Sequence, residues 1–162
     1  MAIQTFSGYY EDPPAPNQVA ALPTWGSTQL LIDAATERGA ILIGESPEAC
    51  SIRHVGFGTR TVTTGATLRV AMETVSDADG FPTGTLITPG AEANQVILST
   101  DDTGFFQVQL GADAVLADSQ KFALVVYNAA GGNMQLACFG DEQSHFPYSA
   151  LFNGTVWSMV NG

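Results

Sequence analysis

Positively charged side chains are scarce in this sequence, and their scarcity excludes two classes of partner. The chain has 5 lysine and arginine residues against 16 aspartate and glutamate residues, which gives a formal net charge of −11. Proteins hold nucleic acids and anionic membrane surfaces mainly through lysine and arginine, which neutralise phosphate charge. We therefore expect neither nucleic acid nor a membrane surface among the partners of this protein.

Cysteines and long apolar runs are equally scarce. The chain has 2 cysteines, Cys50 and Cys138, and one pair far apart in sequence is a weak signal for a disulfide. We expect both to be small buried side chains, because free cysteine is among the most buried residue types. No stretch reaches the ~18 apolar residues of a membrane-spanning helix. Met1–Phe6 lacks the features of a signal peptide, which predicts synthesis in a cytoplasm.

Motifs for catalysis and for cofactor binding are missing. The sequence contains no HExxH, GxSxG, P-loop or GxGxxG pattern, and its cysteines have no partners at zinc-site spacing. Acidic residues are so numerous that candidate pairs for glycoside hydrolysis always exist, so they decide nothing. We expect a protein that is not an enzyme and needs no cofactor; a cysteine–histidine nucleophile pair is the remaining alternative.

One acidic turn is a candidate cation site. Asp77-Ala78-Asp79-Gly80 begins like a calcium-binding loop, but the EF-hand pattern needs a further oxygen ligand at its fifth position and glutamate at its twelfth. Phe81 and Thr88 occupy those positions, so an EF-hand is excluded. The preferred interpretation is a turn whose aspartate side chains accept hydrogen bonds from backbone amides. A looser calcium site at Asp77 and Asp79 is the alternative.

The residues that are present predict an all-β fold. Thr67–Val75 and Phe105–Leu110 alternate apolar and polar side chains, which is typical of half-buried strands. Phe122–Tyr127 is apolar on both faces and is expected to be a central strand. Leu30–Arg38 is too short for periodicity to separate strand from helix. Several short strands between glycine and proline turns predict an antiparallel β-sandwich, jelly-roll-like, over residues 28–162.

A hairpin is predicted close to Gly162. Asn153-Gly154 lies between two β runs and favours a two-residue type I′ turn. This register predicts the pairs Phe152–Thr155, Ala150–Trp157 and Tyr148–Met159. All six side chains then share one face, which must be covered. We therefore expect Trp157 to belong to a hydrophobic core.

Prolines and aromatic residues are concentrated in residues 1–27. Prolines at this density prevent helix and interrupt strand ladders, so we expect an extended, Pro-rich N-terminal arm. One interpretation is a flexible terminus. The other is an arm that lies on a neighbouring subunit, which its aromatic side chains favour. The candidate interface residues are Phe6, Tyr9, Tyr10, Pro13, Pro14, Pro16 and Trp25.

A series of segments carries a resemblance to known proteins. The most specific is Gly80-Phe81-Pro82-Thr83-Gly84-Thr85-Leu86, and the others are Asp33–Gly39, Ile52–Phe57, Thr61–Gly65, Leu68–Val75, Phe122–Val126, Pro147–Tyr148 and Asn153–Trp157. On these residues the chain from Leu30 to Trp157 resembles β-sandwich domains of bacteriophage particles, from tail fibres, tail appendages and capsid decoration proteins. The resemblance implies a virion structural subunit that forms homo-oligomers or binds other virion proteins. It transfers no site residues.

The alternative function is binding of carbohydrate. Phage sandwich domains are similar to carbohydrate-binding sandwiches, and a fold does not determine its function. Exposed Trp25, Trp157, Tyr9 or Tyr10 would stack on sugar rings, which would serve recognition of glycans on the host surface. In either case the expected location is the virion, after synthesis in the host cytoplasm.

Overall fold

The computed structural model describes residues 18–20, 29–32, 36–98, 104–128, 132–137 and 148–160, and every regular element within them is a strand. The strands are β1 (Gln18–Ala20), β2 (Gln29–Ile32), β3 (Arg38–Glu45), β4 (Cys50–Thr64), β5 (Ala66–Val75), β6 (Pro82–Leu86), β7 (Glu92–Ile97), β8 (Gly104–Leu116), β9 (Lys121–Asn128), β10 (Asn133–Ala137), β11 (Tyr148–Phe152) and β12 (Trp157–Met159). The prediction of an all-β fold is confirmed.

The strands form two sheets. In the first, β4 pairs with β1, β8 and β10, and β10 also pairs with β2. In the second, the order is β12-β11-β3-β9-β5-β6, and β7 pairs with β5 as well. β9 pairs with one edge of β5. The other edge of β5 pairs first with β7 and then, further along the strand, with β6. The described pairings are antiparallel except that of β1 with β4.

The main core lies between the two sheets. Leu68, Val70 and Met72 from β5 are fully buried there, as their alternation predicts. They pack in one cluster with first-sheet residues that include Ile52 and Phe57. Each fully buried side chain of this size stabilises the fold by roughly 1.5–3 kcal/mol. This shared core confirms a β-sandwich.

Two further strand predictions are confirmed. In β8 the even-numbered side chains Val108 and Leu110 are buried, while Gln107 and Gln109 are exposed. In β9 the whole stretch from Phe122 to Val126 is buried, because β3 and β5 flank it and both faces of the sheet are covered.

Three segments resolve alternatives that the sequence leaves open. Where Leu30–Arg38 allows a short helix, Gln29–Ile32 is β2 and β3 begins at Arg38. Gln18–Ala20, within the expected arm, is β1. Ile52–Phe57 lies within β4, whose pairing with β8 shifts in register between Ile52 and His54.

The hairpin of β11 and β12 differs from the predicted one in its register. Ala150 lies opposite Met159, Leu151 opposite Ser158, and Phe152 opposite Trp157. The predicted pairs Phe152–Thr155, Ala150–Trp157 and Tyr148–Met159 are therefore wrong by two residues. Because the shift is even, the β11 and β12 side chains keep their expected face.

The Asn153 side chain explains the longer connection. Its Oδ1 atom accepts hydrogen bonds from the backbone amides of Thr155 and Val156, each at 3.0 Å. This asparagine-capped turn takes in residues 153–156, whereas a type I′ turn would take in two residues.

The second sheet is strongly curled. Phe81 directly precedes β6 and Trp157 lies in β12, so the two residues belong to opposite edges of the sheet. In a flat sheet, five interstrand spacings of about 4.8 Å would separate these edges by about 24 Å. The two rings instead stack with centroids 6.4 Å apart and planes 10° from parallel. The sheet therefore wraps around its own outer face, which is concave.

Candidate functional site

A row of arginine and aromatic side chains crosses the concave face. Directly opposed residues in antiparallel strands share a face of the sheet. The registers place Phe152 opposite both Trp157 and Arg38, Arg38 opposite Tyr127, and Tyr127 opposite Arg69. Trp157, Phe152, Arg38, Tyr127 and Arg69 therefore form one continuous line, the arginine–aromatic row.

The members of this row stack on one another. The Arg38 guanidinium carbon lies 4.7 Å from the centre of the Phe152 ring and 5.1 Å from the centre of the Tyr127 ring. The Arg69 guanidinium carbon lies 4.2 Å from the Tyr127 centre. Guanidinium groups are attracted to the electron-rich faces of aromatic rings. Phe152 in turn contacts Trp157, with ring centres 5.3 Å apart, so the row is held along its length.

A second hydrophobic cluster lies beside the row on the concave face. Ala40, Ala123, Ala150, Ile43 and Val125 are all fully buried and form a cluster separate from the main core. The half-buried side chains Val75, Phe81, Tyr127 and Trp157 pack against this cluster. Trp157 therefore contributes to a hydrophobic cluster, but on the concave face and only partly buried.

Glu73 is fully buried on the concave face. Its carboxylate accepts a hydrogen bond from the Tyr127 hydroxyl and another, 2.9 Å long, from the Gly84 backbone amide. Burial raises the pKa of Glu73 above its usual value, although these hydrogen bonds and the charges of Arg38 and Arg69 act in the opposite direction. The pKa of Tyr127 is raised by burial and by the neighbouring carboxylate. Tyr127 therefore stays protonated and acts as the donor.

The two arginines of the row differ in their ionic partners. Arg69 Nε lies 2.5 Å from Glu92 Oε2, and these two buried atoms have only each other as partners among the described residues. Arg38 is half-buried, and none of its nitrogens forms an ion pair or hydrogen bond within the described part of the chain. Arg38 therefore presents unused N–H donors.

A second surface lies where the edges of the two sheets adjoin. β7 and β8 are neighbours here, because the Ala112 amide at the middle of β8 donates to the Gly90 carbonyl just before β7, at 2.7 Å. Four of the side chains exposed along these strands or next to them are large and apolar. They form the edge surface, which comprises Val96 (58% exposed), Leu98 (57%), Phe105 (44%) and Val115 (60%).

The Phe105 ring of the edge surface packs against β4, the neighbouring strand in the same sheet. The ring lies against the backbone of Gly56 on β4, where an added Cβ atom would be 2.4 Å from the ring. Residues 93–98 and 104–112 contain no charged side chain. Val96, Leu98 and Phe105 thus lie in uncharged sequence, whereas Val115 lies two residues after Asp113.

The predicted acidic turn uses its carboxylates locally. Asp77 Oδ1 lies 2.8 Å from Lys121 Nζ, and this hydrogen bond lowers the pKa of Asp77. Asp79 Oδ1 accepts a 3.1 Å hydrogen bond from the Phe81 amide, which lowers the pKa of Asp79. Among the residues described, no group of three or more histidine, cysteine or acidic side chains is arranged to hold a metal ion. The calcium alternative therefore gains no additional ligand from them.

Other sequence-predicted residues are only partly placed. Cys50 is half-buried rather than buried, and its Sγ lies 3.4 Å from Ser46 Oγ. Cys138 lies outside the described residues, as do all the arm candidates, namely Phe6, Tyr9, Tyr10, Pro13, Pro14, Pro16 and Trp25.

The arginine–aromatic row was not predicted from the sequence. Its residues are scattered from Arg38 to Trp157, and only the pairing of distant strands brings them together. One signal did exist, because the alternation of β5 places Arg69 and Glu73 on the same face. The alternation indicates a polar face on β5 but does not reveal that the curl of the second sheet buries this face.

No protein-family model matches the sequence, and no match to it is found among curated proteins or solved structures. In the described ranges, no helix has the length and apolar character needed to cross a membrane. Function is therefore inferred from the side chains themselves.

Proposed function

We propose that this chain is a non-enzymatic structural subunit of a bacteriophage virion, which binds copies of itself or other virion proteins through the edge surface. The observation that carries the proposal is the exposure of Val96, Leu98, Phe105 and Val115 on two adjoining edge strands. Large apolar side chains exposed on a protein surface are common at protein–protein contact sites.

Charge favours the same surface as the site of contact. A net charge of −11 makes two copies repel each other over most approaches. Residues 93–98 and 104–112 carry no charge, so two copies can meet there with little repulsion. The edge surface therefore offers apolar area where like-charge repulsion is small.

The test is the mass of the full chain in solution, measured by light scattering over a range of concentrations. We expect a discrete oligomer that Val96→Lys or Val115→Lys shifts toward monomer. Val156→Lys is the matched control, because Val156 is 56% exposed but lies in the β11–β12 connection. A wild-type chain that stays monomeric at every concentration, or equal effects of all three variants, contradicts self-assembly through the edge surface.

The predicted arm is tested separately in the same experiment. If removal of residues 1–24 leaves the oligomer intact, assembly depends on the edge surface alone. If the truncation yields monomers, residues such as Tyr9 and Tyr10 act as interface residues, as the sequence predicts.

A second candidate function is carbohydrate binding, and the arginine–aromatic row favours it. Half-buried Phe152 and Trp157 offer flat ring surfaces of the kind on which sugars stack. A glycan array tests this candidate, and we expect retention of a defined class of glycan that Trp157→Ala reduces. An array with no hits contradicts it.

A further inference from the structure

We propose that the arginine–aromatic row binds an acidic saccharide, with Arg38 receiving the sugar carboxylate through the edge of its guanidinium group. The proposal goes beyond assembly and rests on the second candidate function, whose ligand class it names.

The first support is that Arg38 forms no direct ion pair among the described residues, although its charge acts on the buried carboxylate of Glu73. The structure describes four basic side chains, Arg38, Arg53, Arg69 and Lys121. Three of them lie within 2.8 Å of a carboxylate oxygen, whereas Arg38 reaches none in the described residues. In a chain with 16 acidic residues, a half-buried arginine that remains unpaired has N–H groups available for an external anion.

The geometry of Arg38 determines which part of it a ligand can reach. The Phe152 and Tyr127 rings lie 4.7 and 5.1 Å from its guanidinium carbon, one on each of the two strands that flank β3. The N–H groups lie in the plane of the guanidinium, and their fork matches a carboxylate in a bidentate pair. A Cβ atom added at Gly84 would lie in van der Waals contact with Arg38 Nη1, at 3.9 Å, so the β6 backbone approaches this nitrogen and a ligand would meet the guanidinium beside Gly84.

Glu73 positions the row. Its carboxylate is occupied by the Tyr127 hydroxyl and the Gly84 amide, so it fixes the Tyr127 ring on which Arg38 and Arg69 stack. Glu92 forms the ion pair with Arg69, which leaves Arg38 as the arginine of the row that can accept a carboxylate. Glu73 therefore has a structural role on the concave face, which is to hold the Tyr127 ring in place beside Arg38.

The flat rings beside Arg38 favour a saccharide over an acidic peptide. Phe152 contacts Trp157 at 5.3 Å, and Trp157 stacks on Phe81 with nearly parallel planes. All three rings are half-buried. An acidic peptide would offer a carboxylate to Arg38 but no apolar ring face to the aromatic side chains. A uronic or sialic acid residue presents both.

The test is isothermal titration calorimetry of the full chain with three probes: an oligogalacturonate, its methyl-esterified form and a sialylated trisaccharide. The methyl ester keeps the sugar rings and removes the charge. We expect at least one acidic probe to bind, and the ester to bind the chain about tenfold more weakly than the oligogalacturonate if that acid is the one recognised. Arg38→Gln should weaken acidic-probe binding by a similar factor of about ten.

Arg53→Gln is the matched control, because Arg53 is an arginine on the first sheet that pairs with Asp113 at 2.8 Å. We expect it to bind the acidic probe as the wild type does, and circular dichroism should show all variants folded. The proposal is overturned if neither acidic probe binds, if Arg53→Gln loses as much affinity as Arg38→Gln, or if acetate alone binds as tightly as the saccharide.

The outcome also separates this proposal from the candidate function on which it rests. If the methyl ester binds as tightly as the acid, carbohydrate binding stands and the role of Arg38 as carboxylate receptor fails. If no saccharide binds, both fail. Neither result affects the edge surface, which the mass measurements test.

Discussion

The two faces of β5 are both covered, but by different kinds of contact. Leu68, Val70 and Met72 point into the main core between the sheets. On the opposite face, Arg69 stacks on Tyr127 and Glu73 receives hydrogen bonds from Tyr127 and Gly84. The first face is buried by packing against another sheet, and the second by the curl of its own sheet. Alternation therefore predicts which side chains face the core but not whether the opposite face meets water.

The largest expected effect is on the face toward the main core. Met72→Ala removes a fully buried side chain and leaves a cavity, so we expect the free energy of unfolding to fall by about 2–5 kcal/mol. Urea denaturation followed by fluorescence measures this change. A loss no greater than that of Val156→Ala, an exposed position, would mean that β5 is not packed as described.

On the concave face we expect a smaller loss from Tyr127→Phe. This substitution keeps the ring between Arg38 and Arg69 but removes the hydroxyl that donates to Glu73. The buried carboxylate then lacks one donor, which should lower the free energy of unfolding by about 1–3 kcal/mol. The same denaturation experiment tests it, and an unchanged stability would show that the Glu73–Tyr127 bond contributes little.

The pH dependence of stability distinguishes the faces further. The pKa of Glu73 is raised from 4.5 in the folded chain, so the folded state binds its proton more tightly than the unfolded state does. The associated stabilisation is fully present below 4.5 and is lost as pH rises through the raised pKa. The Glu73→Gln variant has no titratable group at this position. The stability difference between wild type and variant should therefore change between pH 4.5 and the raised pKa.

Unfolding of the two proteins at matched pH values measures this difference. Met72→Ala is the control, because it should shift stability by the same amount at every pH. If the difference between wild type and Glu73→Gln does not vary with pH, Glu73 titrates as an ordinary carboxyl group.

The smallest effect is expected at the exposed Arg53–Asp113 pair on the first sheet. Both side chains are more than a third exposed, and water screens such pairs strongly. We expect Arg53→Gln to leave the denaturation midpoint unchanged within error. A clear loss would show that surface charge matters more in this acidic protein than in most.

Local patterns predicted the strands better than their connections. The alternation in Thr67–Val75 and the apolar run Phe122–Tyr127 correctly predicted β5 and the central β9, because each depends on burial that repeats along one strand. The hairpin register was wrong because the side chain of Asn153 accepts two backbone amides. A dipeptide preference does not include this alternative.

The candidate site was beyond the reach of sequence reasoning for a different reason. Arg38, Tyr127 and Arg69 become neighbours only through the pairing of β3, β9 and β5. The cluster beside the row includes Ala40, Ala123 and Ala150, which resemble ordinary strand alanines in the sequence. The edge surface was missed too, since nothing in the residues of β7 and β8 indicates which face remains uncovered.

The stack of Phe81 on Trp157 has a consequence for the order in which the chain folds during synthesis. Phe81 leaves the ribosome well before Trp157, because β7 to β11 are made between them. Until β11 and β12 emerge, the nascent second sheet lacks the strands that complete its curl, and Ala40 and Val125 have no hairpin beside them. Contacts so distant in sequence form late and slowly. Chaperones that bind exposed apolar strands would therefore have an additional target during this interval.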